Sequence, residues 1–561
     1  MKNIAMMVLR ASLSALLMLV TLQSLHAAEF FCPSGNVTCL IAAINEANLS
    51  ARPHTIFLEP GTYTLTNVDN DTDDPNGLPS ITGTIAIRQN DQLATIERDP
   101  GAPPFRLFHV APSGDLKLYG LGLRNGDNFL SGTDESSRGG GAIYNRGSLS
   151  LEQLAIYENT SFGRDNFGGA IRNDGRAVLV DTEVYSNFGE FHQAAGGGAI
   201  GNLGELTITR VVIRGNNGNS QGGITSLREL TMSDSVVVEN DGGFFSGGLF
   251  LSGTATIMNT TIARNSGRSA GSTFGGGITV FRGFLRIINS TVAENRADRG
   301  GAGINNQSGT VELQNTIVAL NRSGFAESIA ESDCDGPITS LGNNILGTTF
   351  GCTIDLQGTD FTGDPGLGDF AHTHYPLLSD SRAIDSANRD ACQPTDQLGL
   401  PRLGICDIGS VEFQDGRLLV AIDIRPNRDA NRINPSSTNN INVAVFSGNG
   451  FDATAIDPTS VRFGATGTEA APIKVRQRDV DGDGTRDFVL RFQIQDLGIK
   501  CGDTSASLTG QIADGQSFSG SISITTRCKP QQHKVSVGSR ARSEPSEPSH
   551  GPFSSVHACQ A

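Results

Sequence analysis

Alternate aspartates in Asp479-Val-Asp481-Gly-Asp483-Gly-Thr485-Arg-Asp487 are the side chains of this sequence best spaced for chemistry. Carboxylates at every second position of a tight turn converge on one hard cation, and Gly484 permits the sharp bend. Asp479, Asp481, Asp483 and Asp487 therefore predict a structural Ca²⁺ site. The competing reading is an acidic turn between strands. The twelfth position from Asp479 is Leu490, so no bidentate carboxylate comes from there.

Other reactive side chains are scattered. Arg124, Arg138, Arg146, Arg164 and Arg172 fall close together with Asp134, Glu135 and Asp165. They can line a polysaccharide groove, although a solvated charged face is the favoured reading. His109, in FRLFHV, reads as packed in a strand, and His374, in THYPLL, resembles the THxxLL pattern of choice-of-anchor domains, which implies a structural role. His192, near Phe188 and Phe191, is the outlier. Asp73-Asp74 lies in an acidic insert, Asp69–Asp74. No acid/base pair stands out, so no catalytic residue is assigned.

These residues hang on a repeat. From Gly139 to Asn321 the chain restates one pattern seven times, each copy closing on an Asn: Asn159, Asn187, Asn216, Asn240, Asn265, Asn295 and Asn321. Three residues before each Asn is a β-branched residue, from Ile156 to Val318. Eight and ten before are apolar, as in Leu151 and Leu149. Positions two apart share a strand face. Six before is mostly Asp, Asn or Arg and marks a bend. A Gly-Gly-Ala-Ile segment supplies a third strand. A repeat of this size means a solenoid whose units bury their apolar faces on one another. Short strands without helical periodicity predict an all-β, right-handed parallel β-helix. The Asn column then stacks along the axis and hydrogen-bonds there, a structural role.

Charged residues make up only 18% of the 561 and the net charge is −16, which argues against nucleic acid as a partner. Residues 1–28 carry Lys2 and Arg10, an apolar run and small residues, the pattern of a secretory signal peptide. No later segment approaches the roughly 20 apolar residues of a membrane span. In an exported chain, close cysteines predict disulfides. The pairs are Cys32/Cys39, Cys334/Cys352, Cys392/Cys406 and Cys501/Cys528, with Cys559 left over.

The division that follows is 29–66 for an N-terminal cap and first coil, 67–324 for the β-helix, and 325–415 for less regular C-terminal coils. The alternating strands of 416–529 suggest a β-sandwich carrying the acidic loop. The Ser- and Pro-rich remainder, 530–561, reads as disordered. A short amphipathic helix, CLIAAINEAN, would hide the open edge of the first coil.

CLIAAINEAN followed by TIFLEPGTYTL resembles the CSLREA-type cap of bacterial secreted proteins, by pattern rather than by letter. The coils resemble the parallel β-helix repeats of the pectate-lyase-like superfamily. HTHYPLLSDSRAIDSA, DQLGLPR and CDIGSVEF resemble a choice-of-anchor Q domain, which implies display near a cell surface. The aspartate run matches the first half of an EF-hand loop. The Trp-containing pectate lyase signature has no counterpart in a chain without Trp. The polygalacturonase set and the DPH run of mannuronan epimerases are also missing. The expectation is a secreted, extracellular or surface-displayed (alternatively periplasmic) monomer that binds or scaffolds, directed at polysaccharide or cell-surface glycan. The alternative is a divergent polysaccharide lyase or hydrolase.

Overall fold

In the computed structural model, the described residues are 28–527, except 51, 91–92, 130–138, 164–166, 191–196, 268–273, 325–327, 403, 415–417, 427–430, 449–450 and 514. The signal-peptide, tail, Cys528 and Cys559 readings lie outside them.

The chain is an all-β parallel β-helix followed by a separate β domain. A regular coil runs Ile143–Asn145, Ser148–Glu152, Ala155–Tyr157, Thr160–Phe162. Each strand pairs in parallel with its equivalent one coil on. The result is sheets of 21, 12 and nine strands along the solenoid. Register is kept residue by residue: Leu149, Ala177, Leu206, Leu230, Ala255, Leu285 and Val311 are successive partners. All are buried, as are Ile156 and Val292 of the β-branched column. Each fully buried Val or Ile contributes roughly 1.5–3 kcal/mol.

The corners follow from residue type. Gln153, Asp181, Arg210, Asp234, Asn259, Asn289 and Asn315 all sit at φ between 44° and 59°. Asn and Asp tolerate that left-handed turn better than most side chains. At the glycine corner close packing decides, since a Cβ on Gly198 would come within 2.3 Å of the Gly222 carbonyl oxygen. At the Asn corner, each amide donates to the next along the axis. Asn159 Nδ2 reaches Asn187 Oδ1 at 3.0 Å, and the chain of bonds continues to Asn321.

Two further ladders have no counterpart in the sequence reading. Asn145, Asn173, Asn202 and Ser226 form one, with steps of 2.7 to 2.9 Å. Ser235, Thr260 and Ser290 form the other, each accepting the backbone N–H one coil before it. Both satisfy buried backbone and side-chain groups that would otherwise cost free energy.

The helix Val37–Asn48 begins with the Asn36 side chain accepting from the Cys39 amide. It turns Leu40, Ala43, Ile44 and Ala47 onto the first coils. Disulfides join Cys32 to Cys39, Cys334 to Cys352 and Cys392 to Cys406. Cys501 is also disulfide-bonded.

Coils continue past the regular repeats to Phe361–Thr362. Residues 366–413 then run back along the 12-stranded sheet as an irregular strap. Tyr375 covers Val236, Val238, Ala263 and Ala293. Ser410 donates to Thr291 Oγ1 at 3.1 Å, and Asn259 to the Thr395 carbonyl at 2.8 Å. Arg402, almost wholly buried, bonds the Gly409 carbonyl at 2.8 Å and lies 3.4 Å from Glu412. In the C-terminal domain, two four-stranded sheets share one apolar core that includes Val443, Phe463, Leu490 and Phe518.

Candidate functional site

Two places gather side chains able to bind or react. The first is on the early coils. Phe108–Val110, Ile143–Asn145 and Ile171–Asn173 pair in parallel. The strand alternation turns Phe108, Ile143 and Ile171 into the core. His109, Tyr144 and Arg172 therefore stack as neighbours in one outward column.

The acidic insert closes over this column. Asp73 and Asp74 both adopt left-handed backbone, at φ 53° and 90°. Asp74 Oδ2 lies 2.9 Å from Nη2 of Arg106, whose side chain is fully buried. Arg106 also donates to Asn76 Oδ1 at 3.3 Å. Asp73 Oδ2 takes Arg146 Nη1 at 2.5 Å. The same oxygen lies 3.3 Å from His109 Nε2, which does not meet hydrogen-bond geometry. The other ring nitrogen of His109 is 2.9 Å from Ser80 Oγ. The Tyr144 ring lies between the guanidinium groups of Arg106 and Arg172, at 5.1 and 5.0 Å. Its hydroxyl donates to Asp174 Oδ2 at 2.8 Å. Arg172 grips the same carboxylate through Nε and Nη2, at 2.8 and 3.0 Å.

The cluster has a dry inner layer and a wetter rim. His109 and Tyr144 are 1% and 2% exposed, whereas the side chains of Arg146 and Asp174 are 39% and 25% exposed. Burial, reinforced by Arg106, pushes His109 down to about 4 against the pull of Asp73. Burial pushes Tyr144 up to about 12. His109 is therefore neutral and Tyr144 protonated at ordinary pH.

Of the arginines singled out in the sequence, Arg146 and Arg172 meet here. Arg124 does not: it stands in the 12-stranded sheet, 2.5 Å from Glu97. Arg138, Arg164, Asp134, Glu135, Asp165 and His192 lie outside the described residues. His374 sits half-buried on the strap, and burial lowers its pKa. Arg106, Tyr144 and Asp174 went unnoticed in the sequence. Aligning AIYN with AIRN puts Tyr144 beside Arg172 but gives no hint of the insert that seals them.

The second place is the aspartate loop. Asp479, Asp481 and Asp483 are exposed, with one carboxylate oxygen each within 4.8 Å of the others. Oxygens bound to one Ca²⁺ at about 2.4 Å can be at most about 4.8 Å apart, so the three fit a shared ion. The bend is tight because Gly482 and Gly484 take φ 82° and 89°. Asp479 accepts the amides of both, at 2.7 and 3.1 Å. Asp487 stands apart from this trio. It opens the strand Asp487–Gln493 and is fully buried. Its two oxygens accept the amides of Ser447 and Val480 at 3.0 and 2.7 Å, so it braces the loop from beneath. Leu490 points into the apolar core.

No protein-family model matches the chain, and no curated protein matches it in sequence. Two solved structures are similar. One is the A-module of a mannuronan C-5 epimerase from Azotobacter vinelandii, at 12% identity and TM-score 0.31, covering 59% of this chain and 94% of that one. The other is an iota-carrageenase complexed to iota-carrageenan fragments, at 10% identity and TM-score 0.26, covering 66% and 93%. Likenesses this remote say nothing about what this chain acts on.

Proposed function

We propose that this is a secreted or surface-displayed β-helix protein that binds glycan on its early coils without turning it over. One observation carries the reading: Arg146 and Asp174 form a solvent-facing rim, with Arg172, Tyr144 and His109 packed behind it. Guanidinium and carboxylate groups held in place by their neighbours can pair with sugar hydroxyls and acids at little ordering cost. A general acid or base works best with a pKa near the working pH. His109 and Tyr144 are displaced from that range in opposite directions and are out of solvent. Both facts favour binding over turnover.

A second reading, a divergent polysaccharide lyase or hydrolase, is favoured by the convergence of His109, Tyr144, Arg172 and two aspartates on neighbouring coils. The test is to incubate the protein with a polysaccharide panel in Ca²⁺ and follow both retention and release of unsaturated or reducing ends. Retention that weakens in Arg172→Ala, without new ends, supports binding. New ends released by the parent and not by Arg172→Ala would make the enzyme reading the better one. The ion held by Asp479, Asp481 and Asp483 is, on this proposal, a structural Ca²⁺ in the C-terminal domain.

A further inference from the structure

We propose that the outer face of one C-terminal sheet is a docking surface for a polyanionic glycan, a site independent of the cluster on the coils. The strand Lys474–Arg478 reads KVRQR and forms the edge of the sheet. Alternation turns Val475 toward the apolar core and sends Lys474, Arg476 and Arg478 outward, all exposed. Charges at every second residue recur about every 6.7 Å along a strand. On the next strand Arg491 stands directly opposite Lys474, and beyond it Asn442 stands opposite Arg491. Arg491 Nε donates to Asn442 Oδ1 at 3.3 Å. These side chains and Val489 line a cleft of about 120 Å³.

The arrangement works against the fold. Like charges directly opposite on paired strands are destabilising. On the coils, Arg124, Arg146, Arg172, Arg210, Arg214 and Arg264 each hold a carboxylate, while Arg228 and Arg282 stand singly, without one among the described residues. Among the described residues, Lys474, Arg476, Arg478 and Arg491 form no such ion pair. Positive side chains on an edge strand also deter edge-to-edge pairing. That role does not account for Arg491, which lies on an interior strand between Asn440–Val445 and Lys474–Arg478. Four cations line one cleft without an ion pair among the described residues, and only Arg478 has a carboxylate residue, Asp487, opposite it on the paired strand. In a chain of net charge −16 they call for an anionic ligand. An extended chain suits a row of charges. The cleft has no aromatic ring among its lining residues, so bases would have nothing to stack on. That favours an acidic glycan over single-stranded nucleic acid.

The test uses the full chain with Ca²⁺ chelated, so that no ion bridges the aspartate loop to the ligand. Fluorescent dextran sulfate, polygalacturonate, neutral dextran and oligo-dT are the probes, and fluorescence anisotropy is the readout. Dextran sulfate or polygalacturonate should bind, neutral dextran should not, and binding should fade as salt shortens the screening length toward about 3 Å. The triple variant Lys474→Ser, Arg476→Ser, Arg478→Ser should bind at least about tenfold more weakly. Arg491→Gln, a single change away from the sheet edge, should weaken binding in the same direction if the triple variant fails to melt like the parent. Arg282→Ala, an exposed arginine on the coils outside both sites, should leave this binding intact. No binding at low salt, binding by both patch variants as tight as the parent's, or oligo-dT bound more tightly than either acidic glycan each overturns the proposal. Loss in Arg172→Ala alone would overturn it while leaving the reading of the coils standing.

Discussion

Asn321 Nδ2 donates to Asp333 Oδ1 at 2.9 Å, so the amide ladder of the solenoid ends on a carboxylate. The same oxygen also accepts the Asn321 backbone N–H at 3.0 Å, as each Asn does for the rung before it. Asp333 Oδ2 accepts the Thr348 amide at 2.7 Å. Burial nevertheless dominates and raises the Asp333 pKa to about 6. A raised folded-state value means stability that is fully present below the ordinary value of 3.8 and lost as pH rises through about 6. Asp333→Asn keeps the rung but sets an amide NH₂ against the Thr348 N–H, at a cost of about 1–3 kcal/mol. The gap in melting temperature between parent and variant should narrow from pH 4 to pH 7, roughly the span of this titration. Melts across that range check it, and a constant gap would refute the titration.

Within the ladder, Asn240→Ala removes two donated bonds, to Ile213 O and Asn265 Oδ1, each at 2.9 Å. It also orphans the Asn216 amide, which donates to Asn240 Oδ1 at 3.0 Å. Leaving buried groups unpaired costs about 1–3 kcal/mol each, so chemical denaturation should show a loss of several kcal/mol. The exposed Glu239→Ala next to it should cost little. Similar losses in the two variants would contradict the buried ladder.

His109 carries the opposite pH dependence. Its folded-state value is depressed to about 4 from the ordinary 6.5, so its contribution is present above 6.5 and lost as pH falls toward 4. His109→Gln should flatten the fall in melting temperature over that interval. An unchanged acid limb would mean that the histidine charges freely.

In the C-terminal domain, Ca²⁺ should raise the melting temperature. An ion at a hundredfold its dissociation constant stabilises the native state by about 2.7 kcal/mol. Asp481→Ala should abolish that gain and leave melting in chelator unchanged. Asp487→Ala should destabilise the domain even without Ca²⁺, because the Ser447 and Val480 amides lose their acceptor. Melting that ignores Ca²⁺ in the parent would remove the metal assignment.

Inward packing is tested by Val292→Asp. Val292 is fully buried, between Ile262 and Val318 of the adjoining coils. An unpaired carboxylate there should cost several kcal/mol, or about 4 and upward, in denaturant titration. A variant as stable as the parent would place that column on the surface instead.

The solenoid was legible because its period writes each inward position seven times, so that Val292 and Ile262 betray their stacking by alignment alone. The Asn column was legible for the same reason. The hydroxyls of Ser235, Thr260 and Ser290 were harder to see, because Ser and Thr are ordinary surface residues. The early cluster was hidden by distance along the chain: Asp73 and Arg146 are 73 residues apart and belong to an insert and a regular coil. Spacing identified the aspartate loop but could not tell that Asp487, at the start of a strand, turns inward to two backbone amides.

The strap bears on how the molecule is completed. Each coil closes on neighbours about 24 to 30 residues away, so coils can zip up one after another from the N-terminus. Thr261, however, meets Ser410 across 149 residues. In a chain delivered N-terminus first, Val236, Val238, Ala263 and Ala293 stay wet until Tyr375 arrives. Contacts that span so much sequence form slowly, because loop closure precedes their reward. The strap is therefore the latch that closes last, and a delay between delivery of the coils and of residues 366–413 is the interval in which this apolar stripe is open to a wrong partner.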